Sequence, residues 1–242
     1  LEIDAESQLI ASIMAKKYSV SSTHILIDIP VGKDAKVKSM FGALKLKKDF
    51  EKIGKKLNKH IKVMITNGGM PIGNGIGPAL EARDVLWLLK RDSRRPLDLE
   101  KKCLSICSNI FGMIGVKNGY KKALEMLESG KAYNKMVQII RAQGGKETAP
   151  EDIKIGGHSC DFFSPEGGKV RDIDNISIAR IARVAGAPND KGAGIYLHRH
   201  IGDTVKKKEK LFTIYAESRR ELEYAKDVAK ASKAFIIRKT GM

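Results

Sequence analysis

Apolar positions change period twice within the first sixty residues. Over residues 6–18, Leu9, Ile10, Ile13 and Met14 recur at helical spacing, which predicts an amphipathic helix that Asp4 or Ser7 could cap. Residues 23–29 (THILIDI) are β-branched and nearly continuous in apolar side chains, the texture of a buried parallel strand, with Pro30 and Gly32 as its stop. A second helix is expected over residues 39–58, with Phe41, Leu44, Leu46, Phe50, Ile53 and Leu57 as its apolar stripe. Residues 61–66 (IKVMIT) read as a second strand. Strand, helix, strand in this order implies a right-handed parallel crossover. Ligands of such units sit where loops leave the carboxyl ends of the strands, which singles out the Gly/Lys loop after Ile29.

Residues 67–77 (NGGMPIGNGIG) then feed a helix over residues 78–90. A glycine-rich loop ahead of a helix N-terminus is a candidate anion site. This one lacks the Gly-Lys-Ser/Thr ending of a P-loop, and glycines that let the chain turn tightly against a helix account for it equally well. Trp87 is expected in the core. Three more helices, over residues 96–115, 119–129 and 131–143, end at the polar, turn-rich AQGGKETAPED. A boundary there divides the chain into domains of residues 1–150 and 151–242.

Beyond it the texture becomes short strands and glycine turns. Strands are expected over residues 194–198, 210–216 and 234–238, and helices over 177–185 and 221–232. SPEGGKVRDI and HIGDTVKKKEKLFTIYAE resemble the two halves of a biotinyl/lipoyl-like barrel-sandwich. A helix and the loop APNDKGAG separate them, however, and no AMKM- or TDKA-like lysine tip is present. The segment therefore reads as a structural barrel rather than a swinging carrier arm. The fold class is α/β: a partial parallel sheet with flanking helices, followed by a C-terminal α+β barrel-sandwich-like domain.

Composition narrows the function. Hydrophobic content of 42% and charged content of 30% describe a soluble globular chain. No apolar run is long enough to span a membrane and no signal peptide is visible, so the cytoplasm is the expected compartment. The net charge of +17 fits nucleic acid, a solvated surface or an anionic small substrate. The lysines are spread over almost every helix without an aromatic-interleaved patch, which argues against nucleic acid. Cys103 and Cys107, one turn apart, read as reduced core thiols, and no second ligand pair at zinc spacing accompanies them. His198 and His200 alternate along a strand and read as surface histidines rather than metal ligands; no metal is expected. The chain opens on Leu1 just ahead of a helix and reads as part of a longer protein.

The motifs IDAESQLIASIMAKK, HILIDIPVGKDAKVKS, PIGNGIGPALEARDVL, VKNGYKKA, EMLESGKAY, AQGGK and AGAPNDKGAGIYLHRHIGDTVKKKEKLFTIYAES span nearly the whole chain. Together, and in this order, they resemble the C-terminal half of the thymidine/pyrimidine-nucleoside phosphorylase family, closest to its archaeal AMP phosphorylase branch. The resemblance implies an α/β nucleotide-binding domain whose phosphate loops lie upstream of this sequence, so the isolated chain is expected to be inactive. It implies phosphorolysis of AMP, with CMP and UMP as further substrates, to free base and ribose 1,5-bisphosphate. Inorganic phosphate would be co-substrate, with no organic cofactor, and the protein would be a homodimer or larger homo-oligomer.

Residue by residue, Asp4 matches the proton donor ahead of the first helix, Ser12 the nucleotide-binding serine, and Lys36 the nucleotide-binding lysine of the strand-end loop. Lys16 matches the helix lysine that contacts the base in thymidine phosphorylases, and it shares a helix face with Ser12. Lys36 stands where pyrimidine phosphorylases tend to carry phenylalanine, and a cation there suits a 5′-phosphate. Asp34 departs from a usual glycine. Asp4 lies near a helix N-terminus, which favours the ionised carboxylate, so burial in a closed cleft would have to raise its pKa. The alternatives are a thymidine or pyrimidine-nucleoside phosphorylase and, from another class, a non-catalytic barrel-sandwich or basic nucleic-acid-binding module.

Overall fold

A computed structural model describes residues 6–239, and it is a mixed α/β structure of helices and several sheets. Two compact units emerge. One holds the described residues up to Gly69 together with Cys103–Ala123; the other holds Met70–Lys102 and the described residues from Leu124 onward. This division runs along a different line from a boundary at residue 150.

In the first unit, α1 (Glu6–Ser19), β1 (His24–Val31), α2 (Met40–Lys56) and β2 (His60–Asn67) occur in the expected order. β1 and β2 pair in parallel from His24↔His60 to Val31↔Asn67 without a slip. Ile25, Ile27 and Ile29 alternate into a core with Val63, with Ile10 and Met14 of α1, and with Ala43, Leu46 and Phe50 of α2. Ser39 caps α2: its Oγ accepts from Gly42 N at 3.1 Å. Only part of the expected α2 stripe is buried. Phe41 is 81% exposed and Leu44 52%, because they lie off the face that carries Leu46 and Phe50.

Pro30 does not stop the strand. The Thr23 carbonyl accepts from His60 N and the Val31 carbonyl from Gly68 N, so odd-numbered residues of β1 face β2. Residue 30 points its backbone nitrogen away from the ladder, and a missing N–H costs that pairing nothing.

In the second unit, β3 (Gly75–Ile76), β6 (Gly194–Leu197), β8 (Lys210–Ala216) and β4 (His158–Phe163) form an antiparallel sheet in the order β3-β6-β8-β4. β7 (Thr204–Val205), β5 (Gly168–Ile173) and β9 (Phe235–Arg238) form a three-stranded one. Ile195, Leu197, Phe212 and Ile214 from the first sheet and Val170 and Ile173 from the second share one core with Ile178 and Ile181 of α7 (Asn175–Val184) and Leu222 of α8 (Arg219–Ala231). The remaining helices are α3 (Pro78–Leu89), α4 (Leu97–Met113), α5 (Gly119–Glu128) and α6 (Lys131–Ala142), close to their expected bounds. The two-residue strands β3 and β7 carry too little pattern to be seen in sequence.

Two histidines differ from expectation. The strand ends at Leu197, and His198 and His200 are half-buried and hydrogen-bonded rather than surface groups. His200 Nε2 lies 2.8 Å from Asn74 Oδ1, and His198 Nε2 lies 2.8 Å from Thr213 Oγ1. Thr213 donates to Asp161 at 2.6 Å, and Lys210 pairs with the other Asp161 oxygen at 2.7 Å. Among the described residues no cluster could hold a metal ion. Cys107 is exposed, so it is not a core thiol.

Burial, then the Lys210 cation, holds the His198 imidazole below its ordinary titration range, with Asp161 opposing. Below an unfolded-state pKa of about 6.5 the unfolded chain takes up a proton that folded His198 refuses, so stability falls with pH there. A His198→Gln variant is expected to show a smaller drop in thermal midpoint between pH 7.5 and pH 5.5 than the wild type. An identical drop in both would remove His198 as its source.

Candidate functional site

The carboxyl ends of β1 and β2 are closed by backbone packed on backbone. A Cβ on Gly32 would fall 2.6 Å from the Gly68 carbonyl carbon, and one on Gly68 would fall 2.9 Å from Pro30 Cβ. Only glycine lets the two strand-end loops touch in this way. The loop after β1 folds back on itself: Ala35 N donates to the Gly32 carbonyl at 3.1 Å, and Gly32 N to the Val37 carbonyl at 3.2 Å. Thr66 Oγ1 donates to Asp28 Oδ1 at 2.7 Å beneath, tying the two strands together by their side chains.

Lys36 sits in this closed loop with its side chain exposed. Asp34, two residues earlier, is half-buried, and its Oδ2 has no hydrogen-bond partner among the described residues. Ser12 and Lys16 lie one turn apart on the exposed side of α1, while Ile10 and Met14 anchor that helix to the sheet. Expected Ser12, Lys16 and Lys36 thus all lie on elements flanking β1, accessible to a ligand; no hydrogen bond or ion pair joins them. Asp4 lies outside the described residues. A cavity of about 730 Å³ between α1 and α2 is lined by Ser7, Ala11 and Asp49 among others, and by none of Ser12, Lys16 or Lys36.

The glycine-rich loop before α3 is not an anion site, because the chain supplies its own anion. Asp84 Oδ2 accepts from Asn74 N and Gly75 N, each at 2.7 Å, and Asp98 Oδ2 accepts from Gly73 N at 3.0 Å. Glu81 takes Gly77 N at 3.0 Å, and Ala79 N donates to the Lys191 carbonyl at 2.9 Å. The glycines serve contact instead: a Cβ on Gly75 would fall 2.5 Å from the Leu80 carbonyl carbon, and one on Gly77 2.3 Å from the Ala193 oxygen.

Asp84 is 2% exposed, and burial pushes its carboxyl above the ordinary range, with the two backbone donors pulling the other way. Trp87 is in the core as expected, with the Arg83 guanidinium 4.8 Å from its ring centre. Asn74 carries the network outward, donating to Tyr196 Oη at 3.2 Å.

Removing the Asp84 carboxylate leaves two inward-facing amides without acceptors, a loss of roughly 1–3 kcal/mol for each buried donor. Asp84→Ala is therefore expected to lower the denaturation midpoint monitored by the single tryptophan, Trp87, and Asp84→Asn to lower it less. An Asp84→Ala protein as stable as the wild type would contradict this assignment.

Known proteins resemble the chain along almost its whole length. Residues 169–235 match the pyrimidine nucleoside phosphorylase C-terminal domain family. The chain is 48% identical over 229 residues to a protein named AMP phosphorylase in Pyrococcus horikoshii, a match covering 93% of this chain and 45% of the relative. It is 43% identical over 239 residues to AMP phosphorylase 1 of Archaeoglobus fulgidus, covering 98% of this chain and 47% of that protein. A third, the AMP phosphorylase of Thermofilum pendens, is 40% identical over 232 residues, 96% of this chain and 45% of its own. The chain spans about half the length of the curated relatives it matches. At this identity the chain is similar along nearly all of its residues to part of the AMP phosphorylases, and over residues 169–235 to the pyrimidine nucleoside phosphorylase C-terminal domain.

Proposed function

We propose that this chain forms the nucleotide-holding part of an AMP phosphorylase. The enzyme converts AMP and inorganic phosphate to adenine and ribose 1,5-bisphosphate, and accepts CMP and UMP. The observation that carries the reading is Lys36, an exposed cation in a rigidly closed loop at the carboxyl end of β1, in a chain whose relatives bear the name AMP phosphorylase. Thymidine has no 5′-phosphate for that cation to meet.

A phosphate oxygen attacks C1′ as the C1′–N bond breaks. The bonding electron pair leaves with the base, which takes a proton from the Asp4 carboxyl. Charge builds on the ribose ring in the transition state, so a base that departs neutral lowers the barrier. Ser12 hydrogen-bonds the nucleotide, Lys16 reaches toward the base, and Lys36 holds the 5′-phosphate. The groups that bind the attacking phosphate lie outside this sequence, and the reaction uses no metal or organic cofactor. The enzyme works in the cytoplasm as a homodimer or larger homo-oligomer. Its C-terminal strands form a barrel-sandwich that serves as scaffold rather than carrier, a reading supported by the two antiparallel sheets that share one core.

Loss of a charge-assisted contact is worth about 1.5–3 kcal/mol. In the full-length enzyme, Lys36→Ala is therefore expected to raise KM for AMP by about 10–100-fold and to leave adenosine turnover little changed. A wild-type preference for thymidine over AMP in the same phosphorolysis assay would overturn the substrate assignment. Asp4→Asn is expected to lower kcat by about 10²–10⁴-fold and to flatten the limb of the pH profile that the acid governs. Unchanged turnover would remove Asp4 from the mechanism.

A further inference from the structure

Positive charge is not spread evenly over the folded chain. Between Met40 and Lys62 there are eight lysines and two carboxylates. Folding gathers several of them at one place. Lys48, Lys52 and Lys55 succeed one another along one face of α2, and the tight turn through Asn58 (φ 52°) brings Lys59 and His60 round to meet them. Together with Glu51 these side chains line a groove of about 460 Å³. It lies at the amino ends of β1 and β2, an eight-residue strand, or roughly 26 Å, away from the Lys36 loop.

The bland account is that lysines near a helix C-terminus complement its dipole. That covers Lys55, in the last turn of α2, but not Lys48 and Lys52, one to two turns earlier. Nor are these charges neutralised. Among the described residues, Lys48, Lys52 and Lys55 have no ion-pair partner, although Glu51 lines the same groove. Among the described residues the Lys59 ammonium has the Tyr18 ring beside it, 5.3 Å from its centre, and no carboxylate partner. His60, which lines the groove, stacks on His24 with ring centres 4.7 Å apart. In the other unit Lys210, Lys226 and Arg199 are, by contrast, each paired with a carboxylate.

We infer that this groove binds a compact oligophosphate anion at a site separate from the Lys36 loop. Four ammonium groups against one carboxylate attract a ligand of several negative charges, and their convergence on one bounded groove suits a short phosphate chain. Such a chain comes either free, as tripolyphosphate, or as the tail of a nucleoside triphosphate, for whose base the groove-lining His60 ring offers a stacking partner. Occupancy here does not depend on the AMP reading, since none of the lining residues is assigned to that reaction.

The test is calorimetry with the full-length protein at low and high salt, using tripolyphosphate and ATP in separate titrations. Both are expected to bind at low salt, more weakly at high salt. A Lys48→Gln/Lys52→Gln/Lys55→Gln/Lys59→Gln variant is expected to lose about tenfold in affinity, since it removes all four ammonium groups that line the groove at once. The corresponding four-arginine variant should retain binding. ATP tighter than tripolyphosphate, with the excess abolished by His60→Ala, would identify the nucleotide as the source; equal affinities would identify the phosphate chain alone. Four Lys→Gln changes elsewhere, at Lys117, Lys121, Lys131 and Lys135, serve as control. Equal loss in that control would overturn the proposal, as would absence of binding at low salt. Affinity that grows steadily with the length of a single-stranded oligonucleotide would also overturn it, since that marks an extended nucleic-acid track.

Discussion

The placement of Lys36 depends on one contact, that of Gly32 with Gly68. Two parallel strands in register bring their carboxyl ends level, and the loops leaving them must then share the same small space. The chain solves this with glycine on both sides, so that backbone meets backbone and neither loop is forced outward. The loop after β1 then closes through its own hydrogen bonds, and Lys36 is carried by a fixed turn rather than a loose excursion. A long cationic side chain is flexible, but a fixed base restricts where its ammonium can reach. The Thr66–Asp28 bond ties the same two strands one layer below.

The glycine-rich segment before α3 uses the same residue type for the opposite purpose. Its backbone amides point as an anion-binding loop would point them, and an anion is there, but it is Asp84. Such loops are easily misread from sequence because helix N-termini and clustered amides attract negative charge from any source. A carboxylate ten residues along the chain satisfies them as well as a ligand would, and it also locks β3 against α3. Burial works against the ionised form of this group, and the two amide donors are what make that burial tolerable.

Periodicity decides how much could be read in advance. Most helices were legible because their apolar positions repeat over ten or more residues, and β1 and β2 because each is an eight-residue run rich in β-branched side chains. β3 and β7, two residues each, have no period to read, and β3 is held by partners about 120 residues away in sequence, at Ile195 and Tyr196. That distant pairing is why residues 75–89 fold with the C-terminal sheets rather than with the strands that precede them, a division that composition could not reveal. Pro30 misled for a different reason: whether a proline stops a strand depends on which way its nitrogen points, and only the register decides that. For the site, spacing placed Ser12 and Lys16 on one face, and both are indeed exposed on α1. Their roles came from resemblance, because no local pattern distinguishes a nucleotide-binding lysine from a solvated one.

Charge makes the same point on a larger scale. In sequence the lysines look evenly scattered, since a helix returns to the same face only every third or fourth residue. Folding sorts them. At the carboxyl ends of β1 and β2 the cation of interest stands on a loop built from close backbone contacts. At the amino ends several cations converge without carboxylate partners among the described residues. Like charges held close together repel one another, so an unpaired cluster lowers stability unless something offsets it. Surface lysines can relieve much of this by extending into water, and salt screens the remainder over about 8–10 Å. Lys48, Lys52 and Lys55 are exposed but line one groove with Lys59, and an anion placed between them relieves their remaining mutual repulsion. A binding preference for polyvalent anions is therefore the physical consequence of the fold itself, and it would hold whatever reaction takes place at the other end of the strands.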